Sequence, residues 1–238
     1  MNLVRPILRR LFRAFSGECR LPALALAVCG LLLSLSGARA QPGGTPGQFD
    51  FYVLSLSWSP TYCEDKGDRA AREPQCSVER PYAFVVHGLW PQYERGFPRS
   101  CQVPAPYISN SLVRSMLDVM PSRGLVIHEW KTHGTCSGLA AEGYFAQVRA
   151  ARDKVTVPEE FKRLYYYRTV SPADVEKAFL AANPGLTPDM MAVECDRRRL
   201  KEVRVCLSRD LSFRACPDVD RRACRLDRMV MPPMRGAQ

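Results

Sequence analysis

The chain of 238 residues contains only three histidines, His87, His128 and His133. It has no CxxC pair, no GxSxG segment and no N-x-S/T sequon. The first absence argues against thiolate zinc centres, whose ligands come in closely spaced pairs. The second removes the strand-to-helix serine elbow of an α/β hydrolase. The third means that no N-linked glycan is expected. Without an internal repeat, a long linker or a second domain-like stretch, one domain is expected. What imidazole there is lies in two short segments, FVVHGLWPQY at 84–93 and HEWKTHGTC at 128–136.

Arg5, Arg9, Arg10, Arg13 and Arg20 precede the uncharged run LPALALAVCGLLLSLSG at 21–37, and ARA at 38–40 places small residues before Gln41. This order of basic, apolar and small segments reads as a cleaved signal peptide over 1–40. A retained anchor is the alternative, but the run falls short of the ~20 residues that span a bilayer. RRLF at 9–12 resembles a twin-arginine signal only faintly, so the export route stays open. Beyond the leader there are 28 basic and 23 acidic residues, a net of +5 against +10 for the whole chain. A mildly basic surface suits a polyanion without selecting one. Eight cysteines remain: Cys63, Cys76, Cys101, Cys136, Cys195, Cys206, Cys216 and Cys224. An even set behind an export signal implies four disulfides in an oxidising compartment, periplasmic or extracellular. Counting alone leaves about 105 pairings open.

QPGGTPGQ at 41–48 is expected to be a flexible lead-in. FDFYVLSLSWSP at 49–60 alternates and predicts a strand stopped by Pro60. Residues 64–80 read as a charged loop, and YAFVV at 82–86 as a second strand delivering His87 at its end, with Gly88 permitting tight geometry beyond. Ile108, Leu112 and Met116 recur at helical spacing over 108–120. Residues 142–155 and 171–184 also read as helices, the second with Ser171 as cap, Pro172 at the first position and Asp174 completing a capping box. Past 190, MMAVECD, LKEVRVCLS and LSFRACP predict a β-meander. The stretch 226–238 has no period and is expected to be loose. The mixture is α+β.

In a helical 128–136 segment Glu129 and His133 share a face, with His128 and Lys131 on the next. His87 arrives from a separate strand. Two imidazoles held apart suit a reaction that removes one proton and supplies another near neutrality. A nearby cation would stabilise charge developing on phosphoryl oxygens. The rivals are weaker. HEWKTH has one residue too many for HExxH, and ligands five apart on a helix point about 140° away from each other, so one zinc could not take both. The cysteines are committed to disulfides, which disfavours a thiol nucleophile. The bland alternative is three histidines satisfied in structural hydrogen bonds.

HGLWP at 87–91 and HEWKTHGTC at 128–136 resemble the two active-site segments of the ribonuclease T2 family. FDFYVLSLSWSPTYC resembles that family's opening strand and LKEVRVCLSRDLSFRACP its closing hairpin, so the likeness covers nearly all of the chain beyond the leader. The resemblance implies a single domain over 49–225, with a mainly antiparallel central sheet and flanking helices. It implies metal- and cofactor-independent endonucleolytic cleavage of single-stranded RNA, giving 2′,3′-cyclic phosphates and then 3′-phosphates. His133 would be the base and His87 the acid. His128 would hold the phosphate, and Glu129 would stabilise the pentacoordinate state. The pairing implied is Cys63–Cys76, Cys101–Cys136, Cys195–Cys224 and Cys206–Cys216. A monomer with no stable membrane association after leader removal is expected.

One departure stands out. The family pattern has lysine directly before the second catalytic histidine, whereas here Thr132 occupies that place and Lys131 precedes it. On a helix this turns the ammonium by about 100°. Either Lys131 still reaches, or Thr132 donates instead. Trp90 either stacks on a base or packs beneath the histidine. Gln92 stands where some relatives carry a base-reading acid, which implies low base specificity. The runner-up is a catalytically weak relative that binds RNA or a protein.

Overall fold

The computed structural model describes residues 43–236. The expected signal peptide lies outside the described residues. Among them, no helix is long and apolar enough to cross a membrane.

Four antiparallel strands form the main sheet in the order β2-β1-β5-β4. They are β1 (Phe51–Trp58), β2 (Phe84–Gln92), β4 (Met191–Cys195) and β5 (Leu200–Leu207). Strand β1 lies between β2 and β5, so its residues are buried at nearly every position. Period two divides its side chains. Tyr52, Leu54, Leu56 and Trp58 face the main core, joined there by Val203 and Val205 of β5. Phe51 and Val53 face the other way, toward Ala192, Cys206, Cys216 and Val219. Against the core face pack α3 (Arg123–Thr132) through Val126 and Trp130, and α4 (Ala141–Lys154) through Tyr144, Phe145 and Val148. Burying each such side chain stabilises by roughly 1.5–3 kcal/mol. The fold is α+β, as the sequence implies.

The capping box of α5 (Pro172–Ala182) is present, with Ser171 and Asp174 each accepting the other's backbone N–H. Several boundaries differ from expectation. Pro60 does not simply stop β1 but opens α1 (Ser59–Lys66), and 3-10 turns follow at Gly67–Arg72 and Pro74–Cys76, so the expected charged loop is largely helical. Proline is accommodated there because the first turn of a helix needs no donor. Helix α2 (Asn110–Ser115) is shorter than its apolar period suggests. Its continuation is drawn into a tertiary bond, Val86 N–H to Val119 O at 3.0 Å. The third meander segment makes only one bridge, Leu207 to Phe213.

The C-terminal stretch is a correction. Met229–Met231 forms β6, pairs with β3 (Arg168–Val170), and buries Met229 and Met231 in the core. The carbonyl of Pro232 accepts the Trp58 indole at 3.1 Å. Apolar burial without periodicity holds a segment this short, which is why its sequence looked loose. The lead-in is also tied where described: Gly43 N–H donates to Arg99 O and Gly47 N–H to Cys136 O, both at 3.0 Å.

Candidate active site

His87 does not sit at the end of β2 but within it, at a break in register. Ser55 pairs with Gly88 and Leu56 with Val86, leaving His87 as the extra residue of a β-bulge. A bulge re-aims one side chain without ending the strand, and here it turns His87 onto the face opposite the helical core. The residues sharing that face follow from register: Val53 and Ser55 of β1, Trp90 and Gln92 of β2, Glu202 and Arg204 of β5. Gly88 is needed less for its backbone freedom than for its missing side chain. A methyl group there would collide with the Glu129 carboxylate and the Trp90 indole nitrogen.

The second segment is helical only to Thr132. His133 leaves the helix at φ −119°, and a 3-10 turn, Gly134–Cys136, follows. This exit brings His128 and His133 to the same cleft of about 250 Å³, shared with Trp90, Phe97, Arg99 and Arg204. Both rings thus line one cleft although they stand five residues apart, the second at the end of the helix. Among the described residues, no group of three His, Cys, Asp or Glu side chains is placed to hold a metal ion.

Trp90 is the hub. Its ring centroid lies 5.3 Å from that of His87, which lines an adjoining hollow, and 5.4 Å from that of His133, so one indole contacts both imidazoles. Its Nε1 donates to Glu129 Oε2 at 2.8 Å, and the Arg204 guanidinium lies 5.3 Å from its ring. Of the two readings of Trp90, packing against the histidines is what the geometry displays. Gln92 lines the cleft, with its Nε2 bonded to Pro91 O at 3.0 Å. Phe97 stands across the cleft, 6.4 Å from the His133 ring.

The two histidines have opposite surroundings. His87 Nδ1 lies 2.6 Å from Glu202 Oε1, and its Nε2 lies 3.9 Å from Glu129 Oε1. Burial works to lower the His87 pKa, but the bond and charge of Glu202 and the charge of Glu129 override it, and the ring is held above its ordinary value. His133 has no such partner, and its buried Nδ1 makes no hydrogen bond. Burial first, then the charges of His128, Arg99 and His87, push it down to about 3.

The flanking carboxylates also separate. Burial raises Glu129, 1% exposed, to about 7 despite His87 and the Trp90 N–H. Burial opposes ionisation of Glu202 as well, yet His87, Arg204 and the Ser55 hydroxyl hold it down to about 2. Such a split is the pattern that assigns acid and base roles within one site.

Lys131 is exposed and is not among the residues lining this cleft, whereas Thr132 is. The cations at the cleft are Arg99, Arg204 and Arg222. Sequence reasoning missed Glu202, Arg204, Arg99 and Phe97. For the first two a signal existed: in LKEVRVCLS the alternation puts Glu202, Arg204 and Cys206 on one face, a pair of opposite charges beside a disulfide cysteine.

All four expected disulfides are formed. Cys101–Cys136 ties the loop bearing Phe97 and Arg99 to the turn after His133, and Ser100 N–H adds a bond to Thr132 O at 2.8 Å. Cys206–Cys216 braces the cleft's floor from β5, alongside Val219 of α6 (Pro217–Asp220).

Comparison with known proteins adds three likenesses. A ribonuclease of Aeromonas hydrophila is 39% identical over 130 residues, covering 54% of this chain and 57% of its own length. A probable ribonuclease of Haemophilus influenzae is 34% identical over 122 residues, covering 47% of this chain and 45% of its own. The chain thus spans about half the length of these two curated relatives. An RNase-related protein from Calystegia sepium has the same fold, at TM-score 0.62 and 19% identity, covering 79% of this chain and 98% of that one. The model of the Ribonuclease T2 family matches residues 49–216, which include both histidine segments and the strand that supplies Glu202; the chain belongs to the ribonuclease T2 family.

Proposed function

We propose that this protein is an exported endoribonuclease that cleaves single-stranded RNA by transphosphorylation, without a metal. The observation that carries the reading is that two imidazoles contact one indole, with His87 raised, against its burial, by the Glu202 and Glu129 carboxylates and His133 depressed by burial. His133 is the base. With Nδ1 buried, Nε2 takes the proton of the 2′-hydroxyl. The resulting oxygen attacks phosphorus, a 2′,3′-cyclic phosphate forms, and the P–O5′ bond breaks. His87 is the acid. Its Nδ1 is engaged by Glu202, so the proton passed to the departing O5′ comes from Nε2. Water then opens the cyclic ester with the roles exchanged, leaving a 3′-phosphate. Because the nucleophile belongs to the sugar, DNA cannot react.

Glu129, raised to about 7 by burial and so partly protonated near neutrality, lies on the Nε2 side of His87 and in its protonated form donates a hydrogen bond to a phosphoryl oxygen in the pentacoordinate state. His128 and Arg99 hold the phosphate, with Thr132 as a further donor. Trp90, Gln92 and Phe97 form the wall against which a base rests, and an amide rather than an acid at position 92 is consistent with low base specificity. Four disulfides support export to an oxidising compartment, periplasmic or extracellular.

A second reading is favoured by one observation, the absence of Lys131 from the cleft: a weak relative that binds RNA or protein without turning it over. Incubating purified protein with single-stranded RNA in excess chelator separates the two. Cyclic-phosphate and 5′-hydroxyl ends are expected. Intact RNA favours the binder, and cleavage that needs added metal overturns the mechanism.

A further inference from the structure

Beneath the cleft runs a line of charge that the histidine motifs do not announce. Glu194 of β4 and Glu202 of β5 are direct cross-strand partners. Two like charges in that relation repel, and here Arg204 lies between them. Its guanidinium bonds Glu194 Oε1 at 2.9 Å and Glu202 Oε2 at 3.1 and 3.2 Å. The Ser55 hydroxyl donates to the same Glu202 oxygen at 3.0 Å. Glu202 Oε2 is therefore fully occupied, and Oε1 is left to meet His87 Nδ1 at 2.6 Å. Every neighbour of Glu202 fixes its direction.

We infer that Glu202 is the positioning residue of the acid histidine: it fixes the Nδ1–H tautomer of His87, holds the ring in the bulge and supplies the negative charge that keeps Nε2–H loaded for transfer to the leaving oxygen. The inference rests on the proposed cleavage reaction. Its physical logic is that of any carboxylate–imidazole pair, in which the carboxylate sets the tautomer and favours the cation without touching substrate. Sheet geometry makes this pairing available, since Ser57 of β1 pairs with Glu202 and Leu56 with Val86, placing β5 across β1 from the bulge. Glu129 cannot do this work. It sits 3.9 Å away on the Nε2 side and is itself driven toward the neutral form. The remaining charged groups facing this histidine are Arg204, which opposes its protonation, and Asp65 of α1 and Lys201 of β5, which line the adjoining hollow.

The test uses Glu202→Gln and Glu202→Asp in the intact, oxidised protein. A structural role would harm every substrate alike, whereas an effect exerted through the acid would depend on the leaving group. On RNA with a ribose leaving group, Glu202→Gln is expected to lower kcat/KM about 100-fold at neutral pH, within the range for losing a general acid. The deficit should shrink as pH falls and His87 is again protonated. On a nucleoside 3′-(p-nitrophenyl) phosphate, whose leaving group departs without a proton, the same variant should stay within about threefold of wild type, since acid assistance is not needed. Ring titration by NMR, simple with three histidines, should show the His87 midpoint fall by about one unit or more when its charge partner is removed. Glu202→Asp should restore part of that shift. Equal losses on both substrates, with the His87 midpoint unmoved, would overturn the inference. The NMR arm is independent of turnover, so wild-type protein inactive on both substrates would sink the cleavage reading while the His87 titration still decided the role of Glu202.

Discussion

The bulge of β2 and the end of α3 present the same side chain in contrasting ways. In the strand, His87 lies between two carboxylates, its Nδ1 bonded and its Nε2 directed to the site. At the helix end, His133 is packed against Trp90 and Phe97, with cations and other imidazoles as its nearest charges. Strand register brings the β5 carboxylate Glu202 within reach of the first, and among the described residues no carboxylate forms an ion pair with the second. The lesson is that residue identity sets what chemistry is available, while the neighbouring strand decides how firmly each ring holds its proton.

The largest expected effect removes either ring. His87→Ala and His133→Ala should each reduce RNA cleavage by about 10²- to 10⁴-fold, the usual worth of one acid–base group. With a p-nitrophenyl leaving group the two should part: His87→Ala regains most of its rate, and His133→Ala does not. Equal recovery of both would erase the contrast. The proposed mechanism requires His133 unprotonated and His87 protonated. The rate should therefore rise as pH passes upward through about 3 and fall as pH climbs beyond the raised His87 value, which lies above 6.5. A kcat/KM profile that instead rose through pH 7 would show that the base titrates near neutrality, contrary to the depressed value of His133.

A middling effect tests how the two halves are held in register. Cys101–Cys136 joins the loop bearing Arg99 to the turn after His133, and the lead-in adds Gly47 N–H to Cys136 O. Closing a loop of 35 residues restrains the unfolded chain by about 3–5 kcal/mol. In the Cys101→Ser/Cys136→Ser variant, the three other disulfides and the sheet should keep the fold. Activity should fall at denaturant concentrations well below the unfolding midpoint followed by circular dichroism. Coincident loss of activity and ellipticity would assign this bridge to stability alone.

Much of this arrangement was legible beforehand, for identifiable reasons. Period two in FYVLSLSW marks β1, and the cap Ser171 with Asp174 marks α5, because both signals are local. The disulfide pairs and the histidine roles came from likeness to a family rather than from spacing. What stayed hidden is tertiary. The bulge at His87 exists only in the pairing of β2 with β1, and the end of α3 at Thr132 leaves His133 just outside the helix. Met229 and Met231 looked loose because three residues buried beside β3 carry no period. Glu202 and Arg204 were visible as an alternating pair, but a solvent-facing strand reads the same until its neighbours are known.

The smallest expected effect concerns the displaced lysine, and it sharpens the contrast between the segments. If His133 acts in a cleft whose cation comes from the loop before Cys101, Lys131 should be dispensable. Lys131→Ala is expected to stay within about twofold of wild type, as for a surface charge away from the chemistry. Arg99→Ala should lower kcat/KM on RNA by about fivefold, equivalent to roughly 1 kcal/mol for an exposed charge interaction, and the loss should shrink as salt is raised. Removing Arg99 also takes away one of the charges holding the His133 proton off, so the acid limb of the pH profile should move upward in this variant alone. A larger loss from Lys131→Ala than from Arg99→Ala would mean that the ammonium reaches the phosphate once RNA is bound, and that a displacement of one residue, about 100° around the helix, does not remove it from the reaction.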